Sequence, residues 1–249
     1  MSPHPIPSLS GFNPIMSRRV LFGGATAVAA AGVLSACGSS SSKTEHKASE
    51  TPLYEINEQD PSKLKQGGTL NLSTYSLGPD FNRFSQNGSS TSVSETMGII
   101  AGAGIWRSTY KGEDELDPNY CLGFEAKEVD GKITAEVRLN PKGVFNDGTP
   151  IDIDALKATW QIQRDPDGEY KIGAAGIYEF IESVEAIDGD RYHARVVFKT
   201  AHNPVKGLLF GGILHPAMLD VNLFNEGFVD KPHPELGCGP FTLAPRSIP

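Results

Sequence analysis

Apolar and polar residues alternate along several short stretches of this chain, and in two places the apolar ones return at helical spacing. Residues 67–75 (Gly67-Gly68-Thr69-Leu70-Asn71-Leu72-Ser73-Thr74-Tyr75) alternate as a strand with one buried face. Residues 124–129 and 133–139 alternate around Asp130-Gly131, and residues 181–187 and 192–198 around Asp188-Gly189. Asp-Gly supplies the two positive-φ residues of a tight turn, so each pair predicts a hairpin. Between the hairpins, residues 153–163 predict a helix capped by Asp152, with Leu156, Thr159, Trp160 and Gln163 on one face. That places Trp160 in the core. Val93, Met97, Ile100, Ala101 and Ile105 predict a second helix over 91–106, weakened by Gly98, Gly102 and Gly104.

The intervening segments are punctuation. Residues 78–84 form a turn-rich loop with two aromatics, and 146–150 (Asn-Asp-Gly-Thr-Pro) a tight turn. Residues 206–210 read as a helical or loop segment. Residues 233–241 are rich in Gly and Pro and lead into a last short strand. Strands and helices mix without a βαβ rhythm or internal repeats. The fold class expected is α/β, with mixed α+β packing inside the lobe these segments build.

The N-terminus belongs to a different category. Arg18-Arg19 precede a short apolar run, 20–34, that is rich in Ala and Gly, the pattern of an export signal rather than a membrane span. Ser17-Arg18-Arg19-Val20-Leu21-Phe22 resembles a twin-arginine address, with Gly23 where Lys is common. Leu34-Ser35-Ala36-Cys37 matches a bacterial lipobox, which makes residues 1–36 a signal peptide and Cys37 the lipidation site. Two or three acyl chains there would anchor the protein to the extracytoplasmic face of the cell membrane. Residues 37–66 are polar and read as a disordered tether, leaving 67–249 for the folded part. Removing the leader takes Arg18 and Arg19 from the 22 basic residues and nothing from the 30 acids, moving the net charge from −8 to −10. Such a surface does not suit nucleic acid, and attachment to membrane falls to lipid rather than to a basic patch.

Candidate chemistry is sparse. Cys121 and Cys238 remain once Cys37 is lipidated, either as one disulfide or as two free thiols. His202, His215 and His233 sit in turns beside Pro or Asn without metal-ligand spacing, so no metal or other cofactor is expected. No nucleophile elbow or phosphate loop occurs, and Gly102-Ala103-Gly104 lacks the context of a dinucleotide motif. Asp147 in isolation suggests catalysis, but its Asp-Gly turn makes it structural. Nothing here predicts an enzyme.

Four segments in this order resemble the family 5 (cluster C) solute-binding proteins of peptide, oligopeptide and nickel ABC importers, in their actinobacterial lipoprotein form. These are Gly67-Gly68-Thr69-Leu70; Phe145-Asn146-Asp147-Gly148-Thr149-Pro150 with the helix to Trp160; Ile181-Glu182-Ser183-Val184-Glu185; and Gly237-Cys238-Gly239-Pro240-Phe241. The resemblance implies a periplasmic-binding-protein type II clamshell that holds peptides by their backbones and presents its closed form to the permease and ATPase subunits of an importer. It also implies that only the first lobe is here and the second is missing. Relatives run to about twice this length, so a purified mature chain is expected to show no peptide-dependent melting shift. Candidate cleft residues are Tyr75, Phe81, Asn82, Asn119 and Tyr120, with Gly239 and Phe241 where the chain leaves the lobe. Phe81 and Phe241 read equally well as core. Rival readings are another ligand (nickel chelate, haem or glycolipid) and a cell-envelope scaffold that transports nothing.

Overall fold

The structure, a computed structural model, describes residues 59–241 except 66, 70, 72, 74–77, 101, 103 and 202–204. The signal, Cys37, Tyr75, His202 and most of the tether lie outside the described residues. Of the expected strand at 67–75, the described residues Gly67, Gly68, Thr69, Asn71 and Ser73 carry no regular structure.

Both Asp-Gly hairpins form. Strands β3 (Cys121–Val129) and β4 (Lys132–Leu139) enclose Asp130 and Gly131, at φ 53° and 73°. Strands β5 (Ile181–Ile187) and β6 (Asp190–Phe198) enclose Asp188 and Gly189, at 52° and 76°. Two left-handed residues in succession match the right-handed twist of the strands they join. The hairpins pair through β4 and β6 into one antiparallel sheet of order β3-β4-β6-β5. Ile133, Ala135, Val137 and Leu139 all face inward from β4, as the period of two requires.

Helix α2 (Ile153–Gln163) covers that face. Asp152 caps it as the sequence implies, its Oδ1 accepting from the Asp154 amide at 2.9 Å. The other carboxylate oxygen receives the Arg191 guanidinium from the start of β6, so one acid fixes both the helix end and the second hairpin. Leu156 and Ala155 point into the sheet core, whereas Ile162 belongs to a second apolar cluster with Phe81, Val93, Met97, Leu214 and Phe224. Thr159 is fully buried; its hydroxyl donates to Ala155 O (2.8 Å) and accepts from Leu214 N (2.9 Å). Trp160 departs from expectation. It is only half-buried at the margin of the sheet core, under Arg164 at 5.3 Å.

Helix α1 (Thr91–Ile100) is shorter than the 91–106 reading. Gly104 explains part of this: a Cβ there would collide with the backbone of Phe210 and Gly211, so the chain passes too close for a helix with side chains. A small hairpin takes over beyond Ile105, pairing β1 (Trp106–Ser108) with β2 (Asp114–Leu116). Residues 206–210 form turns. A short helix α3 (Val221–Glu226) is capped by Asp220 Oδ1, which accepts from the Asn222 and Leu223 amides. The strand expected at the end of 233–241 is absent through residue 241. Pro234–Leu236 make one turn of 3-10 helix, followed by bends.

Candidate functional site

Two of the motifs singled out in the sequence meet in space. The turn 146–150 is closed by its own side chains: Asp147 Oδ1 accepts from Thr149 N (2.9 Å), and Oδ2 from the Thr149 hydroxyl (3.0 Å). Its outer edge is bonded to the crossover segment, residues 234–240. Asn146 N donates to Gly237 O (2.8 Å), Asp147 N to Glu235 O (3.1 Å), and Asn146 Nδ2 to Pro234 O (2.8 Å). Asp147 is therefore structural, as its turn implied.

His215 completes this junction. Its Nδ1 accepts from Ala217 N (3.0 Å), which fixes the proton on Nε2 in the neutral ring. Nε2 lies 3.2 Å from Asp147 Oδ2, off the line of a well-formed hydrogen bond. Burial holds the imidazole below its ordinary pKa, against the pull of Asp147 and Glu235. For Asp147, burial acts to raise the pKa. The Thr149 hydrogen bonds and His215 outweigh it and hold the carboxyl below the usual range.

A concavity lies on each side of the crossover. The larger is an open groove of about 700 Å³, lined by Trp106, Asn119, Tyr120, Asn140, Lys142 and Gly239 among others. Three sequence candidates, Asn119, Tyr120 and Gly239, come together here. An Asx turn on Asp117 positions Asn119, through its backbone N–H to Asp117 Oδ1 (3.0 Å). Its side-chain amide, like the Lys142 ammonium, has no partner among the described residues. Tyr120 OH donates to Cys238 O, tying β3's start to the crossover. Burial foremost, then Cys238 and Asp117, pushes this phenol up to about 12, so it stays a neutral donor. Trp106 is fixed by Nε1–H donating to Leu209 O (2.7 Å) and by an edge contact with Phe124 at 4.8 Å. Asn140 closes the turn after β4, with Nδ2 on Pro118 O (2.8 Å). The result is an open wall with two fixed aromatics, Trp106 and Tyr120, and several amide donors and acceptors, chemistry suited to an extended backbone.

The other candidates behave differently. Phe81 is core. Asn82 is 2% exposed and spends its side chain internally: Nδ2 donates to Phe224 O (2.7 Å) and Oδ1 accepts from Phe84 N (3.1 Å). Both face a small cavity on the far side of the crossover rather than the groove. Phe241 is 55% exposed and lines neither concavity. Cys121 and Cys238 are both buried and are not joined in a disulfide. Cys121 Sγ is instead 3.2 Å from Gly123 O on its own strand. Sequence reasoning passes over Trp106, Asn140 and Lys142 in the groove and Arg83 in the cavity. Only the turn Asn140-Pro141-Lys142 at a strand end carries a signal that could find them.

A sheet backed by α2, with a crossover beside an open groove, is the architecture of a lobe of the periplasmic-binding-protein type II fold. Solved structures agree on the fold. A periplasmic EDTA-binding protein, EppA, superposes with a TM-score of 0.54 at 20% identity, covering 65% of this chain and 30% of its own. NikZ from Campylobacter jejuni gives 0.53 at 17%, covering 67% and 31%. OppA from Listeria monocytogenes, bound to peptide, gives 0.50 at 16%, covering 67% and 34%. No family model matches the chain. In sequence, it is 29% identical over 231 aligned residues to the oligopeptide-binding protein OppA of Mycobacterium tuberculosis and of Mycobacterium bovis, covering 88% of this chain. In sequence the chain is similar to oligopeptide-binding proteins, and in fold to solute-binding proteins of the periplasmic-binding-protein type II class. It spans 38% of the length of the curated relatives it matches.

Proposed function

We propose that this chain takes part in capturing peptides outside the membrane for an ABC importer, with the groove beside the crossover as one wall of the ligand site. The observation that carries this reading is the groove itself. A fixed indole, the unpartnered Asn119 amide and the neutral Tyr120 phenol converge at the segment where the chain leaves the lobe. The relatives named as oligopeptide-binding proteins support the ligand class. The similarity to oligopeptide-binding proteins supports permease and ATPase subunits of an importer as partners. The lipobox at residues 34–37 supports a lipid anchor on Cys37 and a place on the extracytoplasmic face of the membrane.

The test is ¹H–¹⁵N NMR of the chain titrated with short alanine peptides. A single wall binds weakly, so the expected result is fast-exchange shifts confined to the Trp106 indole and the Asn119 and Asn140 amides. These should diminish in Asn119→Ala. Shifts absent from the groove, or unchanged in that variant, count against the reading. The anchor is checked separately by metabolic labelling with palmitate, which Cys37→Ala should abolish.

A further inference from the structure

The cavity on the far side of the crossover holds a feature that the groove does not explain. It has a volume of about 40 Å³ and lies between the 81–84 loop, α1, the 213–218 stretch and residues 232–237. That is room for about three waters, or for one small polar group. Its walls are chiefly Phe81, Phe84, Met97 and Met218, and its one permanent cation is Arg83.

The Arg83 guanidinium packs against glycine. A Cβ on Gly212 would lie 3.0 Å from Nη2, and one on Gly98 would lie 3.6 Å from Nη1. Its Cζ stands 4.5 Å from the centre of the Phe84 ring. The missing side chain at Gly212 thus leaves space for the fork and for the Phe84 ring that covers one of its faces, while Gly98 is at ordinary contact distance. No carboxylate pairs with it among the described residues. The ionisable groups near enough to act on it are a thiol, Cys238, and a phenol, Tyr178, and burial dominates its environment. A guanidinium withdrawn from water without a counter-charge is costly, and an anion that reaches it gains accordingly.

We propose that Arg83 is an anion anchor, and that the cavity seats a carboxylate carried by the ligand. A single planar fork matches the two oxygens of a carboxylate. A phosphate would call for a second cation or a helix N-terminus, and the cavity lining supplies neither. The assignment of the carboxylate to a peptide rests on the function proposed above; the anion site itself does not.

The experiment titrates the full chain with sodium acetate and follows the Arg83 Nε–Hε resonance. The wild type should show a saturable shift. Arg83→Gln should weaken acetate binding by about 10- to 100-fold, the worth of hydrogen bonds to a charged group. Arg83→Lys, which keeps the charge but loses the fork, should fall between. No saturable response in the wild type, or one that survives Arg83→Gln, overturns the site. A second arm compares a tripeptide with its C-terminal amide. Preference for the free acid in the wild type, lost in Arg83→Gln, supports the assignment to the ligand. Acid and amide binding equally would overturn that assignment. Acetate binding without any peptide binding would leave the anion site standing and remove the peptide reading instead.

Discussion

On the sheet side of α2, Ala135, Val137, Ala194, Val196 and Phe198 are wholly buried and carry no side-chain polar atom. On the other side, Phe81, Val93, Met97 and Phe224 are interleaved with Asp80, Asn82, Ser85 and His215, which are almost as buried. The first region is held by area removed from water and is tolerant of chemical detail as long as volume is kept. The second is held by named bonds: Ser85 Oγ to Asp80 Oδ2 at 2.6 Å, Asn82 N to Asp80 Oδ1 at 2.8 Å, and Gly88 N to Ser85 Oγ at 2.9 Å. Each such bond adds little net stability, yet its loss strands a buried partner. The small cavity lies in this second region, among Phe81, Met97, Leu214 and Phe228, whereas the groove's Trp106, Tyr120 and Cys238 pack on the sheet side.

The largest effect that would sharpen this contrast is in the apolar region. Phe198→Ala should cost about 3–5 kcal/mol in urea unfolding, because the sheet core cannot collapse around the lost ring. A loss below about 1 kcal/mol would mean that the core is looser than its burial implies. Next comes Asn82→Ala, which removes two side-chain hydrogen bonds and should cost about 1–3 kcal/mol. Groove shifts on peptide addition should be unaffected in this variant. If stability were intact and peptide response lost, Asn82 would belong to the cleft after all.

The junction at His215 gives a pH-dependent version of the same contrast. The folded imidazole has a pKa below its ordinary 6.5, so the unfolded chain binds the proton first as pH falls. Stability from this group is therefore complete above about pH 6.5 and declines below it. Asp147 adds a further decline only on the way down from 3.8. Urea midpoints measured across this range should fall with acid in the wild type, and fall less from pH 6.5 downward in His215→Gln. An equal slope in both would remove His215 from the account. The smallest effect is at the sheet surface: Lys132→Ala breaks an exposed pair with Glu182 at 2.5 Å and should cost less than about 1 kcal/mol.

The same division decides what can be read from sequence. The hairpins and α2 are legible because buried apolar residues repeat at periods of two and 3.6, and because Asp-Gly and Asp152 mark their ends chemically. Helix α1 falls short of its apolar spacing, which continues through Ile105, because the backbone contact behind Gly104 is not written locally. The loop side has no period to follow. Phe81 and Asn82 resemble cleft residues because a polar residue beside an aromatic in a turn has the same composition whether it faces a ligand or caps its own loop. Asn119, Tyr120 and Gly239 are legible as candidates, but nothing in their separation along the chain says that they share a groove with Trp106.

The bonds between the 146–150 turn and the crossover also bear on the order in which the chain can fold. Asn146 and Pro234 are 88 residues apart, so their contact closes a long loop before it yields a single hydrogen bond. The two hairpins and α2 are local and can form early, while this closure raises the contact order and must wait for them. The crossover is then among the last segments to dock, and whatever polypeptide comes after it meets a lobe whose sheet and helix are already in place.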